Sequence, residues 1–367
     1  MELHLVGGFL GSGKSTAIMQ AARLLTEQGL RVGIITNEQG KHLVDSGLLH
    51  ADNLPALEVT GGCFCCHLDD FARRLEEITV RFDPQVIFAE SVGSCSDLVA
   101  TVIKPLIEWQ RTAAVPNSLS VFTDSRLLLR YLRGQELPFS ENVIYIFEKQ
   151  IEETGVLVIN KIDLLTEEQT QQMQALAGAR YPQKTLLTQN SLQRAQVEDW
   201  LVLVRSAAAA LPNISLDLDY DRYAHGEGRF VWLEREFYLT LTVPDHLSII
   251  KEFLIRLADA FFQVPGAVAH LKCLLNDAEH AVKFSLTGMD DPAVEWAAQI
   301  HQAADFSGPR VHLLVNVMLE GDLQVAESLL DDTIDRYLIQ LGVEIESVSA
   351  FSRVPGFPVP TARIGNH

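Results

Sequence analysis

Short apolar runs rich in β-branched residues alternate with amphipathic stretches through the first 212 residues. We predict strands for the short runs, at residues 3–6, 32–36, 57–60, 86–89, 119–123, 156–159 and 184–187. Helical periodicity lies between them, for example at residues 14–28, 68–82 and 193–210. The strand–helix–strand order predicts an α/β domain, with a largely parallel sheet flanked by helices.

The pattern changes near residue 212, where Leu211-Pro212-Asn213 ends the last helical stretch. We therefore predict two domains, 1–212 and 213–367. In the second, we expect strands at 237–243, 268–275, 282–286, 311–319 and 343–351, with helices at 246–262 and 324–341. This order predicts a smaller α+β domain with a sheet on one side and helices on the other. The Pro- and Gly-rich segment 355–367 is expected to be a loose tail.

Composition narrows the class of protein. At about 150 residues per domain, 367 residues allow two to three domains, and 47% apolar content with 21% charged residues argues against disorder. The net charge is −19, from 29 basic and 48 acidic side chains, which argues against binding to nucleic acid or anionic lipid. No apolar stretch approaches the roughly 20 residues of a membrane span, and the N-terminus lacks the basic start of a signal peptide. We expect a soluble, cytoplasmic protein.

A phosphate-binding motif follows the first predicted strand. Residues 8–15 read G-F-L-G-S-G-K-S, which matches G-x-x-x-x-G-K-[ST] between a strand and a helix. We expect backbone N–H groups and the helix N-terminus to bind phosphate, Lys14 to reach the β and γ phosphates, and Ser15 to ligate Mg²⁺. The predicted nucleotide-binding residues here are Gly8, Gly11, Ser12, Gly13, Lys14, Ser15 and Thr16. The alternative, a glycine-rich turn that binds nothing, is disfavoured by the flanking strand and helix.

A second motif indicates which base is bound. Residues 160–163 read N-K-I-D at the C-terminal end of a buried strand, where open α/β sheets bind ligands. The Asp163 carboxylate can accept hydrogen bonds from N1–H and the exocyclic amine of guanine, whereas adenine would leave the charge unpaired. Lys161 can lie across the base, and Asn160 can tie this loop to the phosphate loop. We therefore expect GTP, although a polar loop after a strand is the alternative.

Three of the five cysteines lie within four positions, at Cys63, Cys65 and Cys66. They stand between a predicted strand and a helix N-terminus, a position that favours thiolate. Three thiolates suit a soft or borderline ion, with Zn²⁺ as the default. A closed structural zinc site has four protein ligands, so we expect an open or exchangeable site that His67 or Glu38 could complete.

Two other interpretations of the cysteines remain open. Cys65 and Cys66 could form a vicinal redox pair, or the three thiols could serve only for packing. Adjacent cysteines form strained disulfides, and packing does not explain the two glycines that precede the cluster. For the isolated Cys95 and Cys273, we expect packing.

Acidic residues at two predicted strand ends complete the candidate site. Glu90 follows strand 86–89, where the Mg²⁺-linked or water-orienting acid of a P-loop enzyme would stand. Residues 37–40 and Asp45 follow the second strand, in the place of a nucleotide-sensing switch. The predicted catalytic residues are Lys14, Glu90 and Asp45. Taken alone, these acids would be ordinary polar strand ends.

Taken together, these motifs resemble the CobW family of GTPases, relatives of the nickel-insertion GTPases of urease and hydrogenase maturation. The likeness rests on G-G-F-L-G-S-G-K-S-T, N-E-x-G, G-G-C-x-C-C, E-S-x-G and N-K-x-D-L in that order. It implies a GTP-hydrolysing metallochaperone or insertase, with GTP/GDP and Mg²⁺ as cofactors and Glu90 at the Mg²⁺ site. Cys63, Cys65 and Cys66 would carry zinc or cobalt to a client metalloprotein or a metal-cofactor pathway. We also consider a nucleotide-dependent homodimer.

Two other functions remain as alternatives. One is a nucleotide-regulated scaffold with a structural cysteine site, in which the acidic residues of 213–367 dock a basic partner; a merely solvated acidic face is the simpler explanation of that charge. The other is an ATP-dependent kinase of a small molecule, which Asp163 opposes.

Overall fold

The computed structural model describes residues 1–37, 55–59, 62–109, 115–206, 209, 211–241, 246–263, 267–277, 281–289, 299 and 310–366. Contacts divide these residues into two compact units. The first contains the described residues up to Gly226 together with 357–366, and the second contains those of Glu227–Gly356. The sequence placed this boundary near residue 212. It falls later because Tyr223 is buried in the first unit, where its hydroxyl accepts a hydrogen bond from Ser96 N at 3.2 Å.

The first unit contains a seven-stranded, all-parallel sheet. Its strands are β1 (Glu2–Gly8), β2 (Val32–Asn37), β3 (Ala56–Val59), β4 (Val86–Glu90), β5 (Pro116–Asp124), β6 (Val156–Asn160) and β7 (Thr185–Gln189). They are ordered β3-β2-β4-β1-β5-β6-β7. All residues of β2 and β6 are buried, which explains why these strands are nearly continuous apolar runs.

Helices lie between these strands and after β7. They are α1 (Lys14–Glu27), α2 (Leu68–Phe82), α3 (Lys104–Trp109), α4 (Ser125–Leu132), α5 (Glu141–Glu153), α6 (Glu167–Arg180), α7 (Arg194–Val204) and α8 (Tyr220–Glu227), with a π-helical segment at Val99–Ile103 and a 3₁₀ turn at Ile162–Leu164. The predicted helix 193–210 is thus shorter in the structure, ending at Val204. The α/β fold class is confirmed.

The strand order brings the chemically important strand ends together. β1 lies between β4 and β5, and β2 pairs with the other side of β4. Because the strands are parallel, their C-terminal ends share one edge of the sheet, where ligands of such folds bind. That edge carries Gly8, Asn37, Glu90, Asp124 and Asn160.

The second unit is a five-stranded antiparallel sheet with helices on one face. Its strands are β8 (Phe230–Thr240), β9 (Ala267–Asn276), β10 (Ala281–Leu286), β11 (Arg310–Glu320) and β12 (Glu344–Arg353), ordered β10-β9-β11-β8-β12. Its helices are α9 (His246–Phe262) and α10 (Leu323–Tyr337), followed by a 3₁₀ turn at Ile339–Leu341. Phe253 and Leu330 of the two helices share one apolar core with alternate strand residues such as Leu313 and Val315. This confirms the predicted α+β layer.

The C-terminal segment differs from the loose tail that its composition suggested. Residues 357–366 belong to the first unit. Ile364 N donates to Ala100 O at 2.9 Å, and Arg363 Nε donates to the fully buried Asp97 at 2.7 Å. Lys104 Nζ donates to Gly365 O at 2.9 Å. The Pro- and Gly-rich sequence has no helix or strand pattern, so the sequence predicted a loose tail. The segment is held instead by hydrogen bonds from its backbone and from Arg363 to acceptors at Ala100 and Asp97.

Candidate functional site

The phosphate-binding motif forms a tight loop between β1 and α1. Gly8 and Gly13 have φ values of +125° and +89°, in the region that side chains rarely adopt. A Cβ on Gly8 would lie 2.2 Å from Phe122 O, and one on Gly13 would lie 2.3 Å from Asn160 Nδ2. Both positions therefore require glycine.

Two polar side chains of this loop, Lys14 and Ser12, are buried. Lys14 is only 6% exposed, and its Nζ donates to Gly8 O at 2.8 Å and Phe9 O at 3.3 Å. Its ammonium group therefore lies against the loop backbone. Ser12 Oγ is buried, and the part of the chain that the structure describes gives it no hydrogen-bond partner. A buried hydroxyl without a partner is a feature that a bound phosphate oxygen would satisfy.

A pair of oxygen donors lies beside the loop. Ser15 Oγ, in the first turn of α1, donates to Glu90 Oε1 at 2.9 Å. Glu90 ends β4, and β4 pairs with β1 at this edge. A hydroxyl and a carboxylate oxygen in contact form a donor set that suits a hard cation such as Mg²⁺.

Asn160 joins the second motif to the phosphate loop. Its Nδ2 donates to Ser12 O at 2.7 Å, and its Oδ1 accepts from Ser191 N and Oγ at 3.0 and 2.8 Å. Three loops are therefore linked by one buried amide. Asp163 lies exposed in the 3₁₀ turn that follows, where its carboxylate is open to a ligand.

Asp124 fixes the lysine of the second motif, and sequence reasoning did not identify it. It lies 2.8 Å from Arg126 Nη2 and 3.2 Å from Lys161 Nζ. Burial alone would raise the pKa of Asp124, but the charges of Lys161 and Arg126 lower it to about 2. Ser125 Oγ also donates to Lys161 O at 2.8 Å. The available signal was an Asp-Ser pair between a strand and an amphipathic helix, which is typical of a helix N-cap.

Asn37, at the end of β2, holds the loop that carries the cysteines. Its Oδ1 accepts from Phe64 N at 2.8 Å, and its Nδ2 donates to Gly62 O at 2.6 Å and Val59 O at 3.1 Å. The strand end predicted to sense the nucleotide therefore contacts the cysteine loop directly. Two other predicted residues of this segment, Glu38 and Asp45, lie outside the described residues.

The three clustered cysteines place their sulfurs together. The Sγ–Sγ distances are 2.7 Å for Cys63–Cys65, 3.2 Å for Cys63–Cys66 and 3.7 Å for Cys65–Cys66. Among the described His, Cys, Asp and Glu residues, these three form the group whose ligand atoms could hold one metal ion. His67, one of the suggested fourth ligands, is not part of it. Phe64 is fully buried and stacks on the Phe71 ring at 4.1 Å, which anchors the loop to α2.

The cysteines are free thiols, and their environment is unequal. Hydrogen bonds from Cys65 and Cys66 hold the pKa of Cys63 well below its usual range. Contacts with Cys63 and Cys66 raise the pKa of Cys65, and the contact with Cys63 raises that of Cys66 to about 12. A disulfide has an S–S length of about 2.0 Å, so Cys65 and Cys66 at 3.7 Å form no vicinal disulfide. The cluster has the form of a donor set for a thiophilic cation.

A phosphate loop on a parallel sheet, with a base-binding motif and three clustered sulfurs, defines a P-loop nucleotide-binding protein with a candidate thiolate metal site. Residues 2–188 match the family model described as CobW/HypB/UreG, nucleotide-binding domain. The chain belongs to this family.

Curated relatives are similar over about half of the chain. It is 23% identical over 216 residues to zinc-regulated GTPase metalloprotein activator 1 of Dictyostelium discoideum, covering 51% of this chain and 45% of that protein. It is 29% identical over 181 residues to the zinc chaperone YeiR of Escherichia coli (strain K12), covering 47% and 49%. The chain thus spans about half the length of the curated relatives it matches.

Solved structures are similar at lower identity. Hydrogenase maturation factor HypB from Archaeoglobus fulgidus is 17% identical, with a TM-score of 0.40 over 57% of this chain and 90% of that one. Zn(II)-bound YjiA GTPase from E. coli is 12% identical, with a TM-score of 0.34 over 90% of this chain and 97% of that one. Separately, no helix within the described residues is long and apolar enough to cross a membrane.

Proposed function

We propose that this chain is a GTP-binding, GTP-hydrolysing metallochaperone. It carries a transition metal ion on Cys63, Cys65 and Cys66, zinc in the first place and cobalt as the alternative, and delivers it to a client metalloprotein or a metal-cofactor pathway in the cytoplasm. The observation that carries the proposal is the direct contact between the two halves of the site. Asn37 ends a strand at the nucleotide edge, holds the cysteine loop with two hydrogen bonds, and makes a third to the end of β3.

The second motif supports GTP over ATP. Asp163 is exposed at the sheet edge, and the pairing with Asp124 fixes Lys161 beside it. A carboxylate at that place accepts two hydrogen bonds from guanine, whereas adenine offers it an acceptor. A small-molecule kinase does not need a cluster of three sulfurs. A preference for GTP together with a metal site therefore favours a metallochaperone over an ATP-dependent kinase.

The phosphate loop supports hydrolysis. Lys14 and the backbone N–H groups would neutralise phosphate charge, and Ser15 with Glu90 would hold Mg²⁺. When bound, Mg²⁺ supplies further neutralisation of the phosphate oxygens. We expect slow hydrolysis without a client or metal, because no arginine finger can be assigned among the described residues.

Zinc is the favoured cargo for two reasons. Three sulfurs within 3.7 Å of one another suit a borderline ion, and three similar proteins carry the name zinc chaperone. If GTP changes the affinity for metal, linkage requires metal to change the affinity for GTP by the same factor, typically about 5–150-fold.

The test combines nucleotide and metal measurements on the full chain. We expect protein purified without chelator to contain zinc, to bind GTP more tightly than ATP, and to change its GTPase rate across a zinc and cobalt titration. Asp163→Asn should shift preference toward xanthosine triphosphate, while Asp199→Asn on α7, which is also exposed, should not. Equal affinity for GTP and ATP would contradict the proposal. So would a GTPase rate that does not change with metal together with a metal affinity that does not change with nucleotide.

A further inference from the structure

A fourth sulfur lies next to the cluster, contributed from a distant part of the sequence. Cys95 Sγ is 3.8 Å from Cys65 Sγ, although the two residues are 30 positions apart. Their spacing along the chain does not connect them, and packing was the expectation for Cys95. We propose that Cys95 is the fourth ligand of the metal ion held by Cys63, Cys65 and Cys66, which makes the site a four-sulfur site. This inference rests on the proposed metal cargo.

The sulfur separations fit this assignment. With a Zn–S bond of about 2.3 Å, tetrahedral geometry places neighbouring sulfurs about 3.8 Å apart. The distances from Cys65 to Cys66 and to Cys95 are 3.7 and 3.8 Å and already have that length. Cys95 is not in the group of three whose ligand atoms all lie within 4.8 Å of one another, so its side chain must move closer to the cluster when a metal ion binds. Cys63, at 2.7 and 3.2 Å from two of its neighbours, must move outward. It is half-buried rather than enclosed, so it has a direction in which to move.

Burial separates the four sulfurs into two pairs. Cys65 and Cys95 are both only 2% exposed, whereas Cys63 and Cys66 are partly open. The open pair gives an ion its way in and out. The buried pair would hold the ion with two sulfurs that are almost closed to solvent. An arrangement with an open and a closed side suits a cargo that must be both retained and released.

The loop that carries Cys95 is held in place by buried polar contacts. Gln150 Nε2 donates to Gly93 O at 3.0 Å and to Cys95 O at 2.9 Å, and Cys95 N donates to Val92 O at 3.0 Å. Gln150 is itself 2% exposed. A ligand on a fixed backbone is preorganised for binding, which packing alone would not require.

This loop begins at the candidate magnesium ligand. Glu90 accepts from Ser15, and Cys95 follows five positions later. A metal ligand at Cys95 would connect the cargo to the nucleotide site through one short segment of backbone. Displacing that single ligand would reopen the site for transfer.

The experiment counts sulfurs around zinc in the full chain. Zinc-edge X-ray absorption of the monomeric, zinc-loaded fraction is compared for wild type, Cys95→Ser and Cys273→Ser. Cys273 is the matched control, a fully buried lone cysteine of the second unit. We expect four sulfurs at about 2.3 Å in wild type and control, and three in Cys95→Ser. Zinc affinity from chelator competition should fall at least about 10-fold in Cys95→Ser only.

Other results of this experiment would overturn either the assignment of Cys95 or the proposed function. Three sulfurs in wild type, or an unchanged count in Cys95→Ser, would overturn the assignment of Cys95 and leave the proposed cargo intact. Absence of bound zinc would overturn the proposed function itself. If Cys95→Ser does not fold, the other two proteins still decide. The chain has five cysteines, so four sulfurs in both wild type and Cys273→Ser leave only Cys95 as the fourth.

Discussion

Glu153 should make the folded protein less stable as the pH rises. The side chain is enclosed at the end of α5, where Oε1 accepts from Val99 N at 2.5 Å. Burial, assisted by the charge of Asp97, raises its pKa from 4.5 to about 8, although hydrogen bonds from backbone N–H groups act in the opposite direction. The folded state therefore binds more protons than the unfolded state between those two values, so stability falls as the pH rises through that window.

The size of the effect follows from the shift. At 1.36 kcal/mol per pKa unit, a rise from 4.5 to about 8 corresponds to a loss on the order of 5 kcal/mol once the group is fully ionised. Glu153→Gln keeps an oxygen that can accept from Val99 N but removes the charge. We expect the variant to gain several kcal/mol relative to wild type from about pH 5 to above pH 8.

Urea unfolding at a series of pH values gives the two stability profiles. The difference between wild type and Glu153→Gln isolates this group, because Asp97 and the other buried acids are common to both proteins. Glu152→Gln is the control, since this neighbour is exposed. Hydrogen exchange at Val99 should also quicken with pH in wild type alone, beyond the intrinsic rate. Parallel profiles for wild type and Glu153→Gln would refute the reasoning.

Three further predictions concern the site. Asp124→Asn should weaken GTP affinity by about 10-fold, because it removes the charge opposite Lys161; titration with a fluorescent GTP analogue measures this. Gly13→Ala should abolish nucleotide binding, because Gly13 has a φ of +89° and a Cβ there would lie 2.3 Å from an amide nitrogen. Gly178→Ala in α6 is the control: the space around it is open, so thermal unfolding should show a stability gain of up to about 1 kcal/mol. Asn37→Ala should still bind zinc, but its zinc affinity should depend less on GTP, because the hydrogen bonds to the cysteine loop are lost. Calorimetric titrations of zinc with and without a GTP analogue measure this dependence. An unchanged dependence would contradict the proposal that Asn37 links the two sites.

The parallel sheet could be predicted because central strands such as β4 and β6 are nearly continuous apolar runs, but β8 could not be predicted in full. The sequence placed this strand from residue 237, whereas it begins at Phe230. The intervening Glu234, Arg235 and Glu236 resemble an exposed loop, yet the structure buries them. Glu236 Oε1 lies 2.8 Å from His312 Nε2, on the neighbouring strand. Pairing with a distant side chain offsets the desolvation of these charges, and a local pattern does not contain that information.

The nucleotide motifs were predictable for a different reason. Phosphate binding needs glycines, a lysine and a hydroxyl at fixed spacing within one loop, so the local sequence carries the whole signal. Asp124 and Cys95 act on partners that are 37 and 30 positions away in the chain, Lys161 and Cys65. Their contribution depends on which strands are neighbours. It became visible only once the sheet order was known.

Sheet order also limits how the nucleotide and the metal can influence one another. β3 precedes the cysteine loop, β2 ends at Asn37, β4 ends at Glu90 and β1 precedes the phosphate loop, and these four strands are consecutive neighbours. Two short connections therefore link the sites: the side chain of Asn37 and the segment from Glu90 to Cys95. If each carries part of the linkage, Asn37→Ala and Cys95→Ser should each lower the GTP dependence of zinc affinity, and the double variant should lose it. If the double variant still responds to GTP, the linkage runs elsewhere, and neither contact is its route.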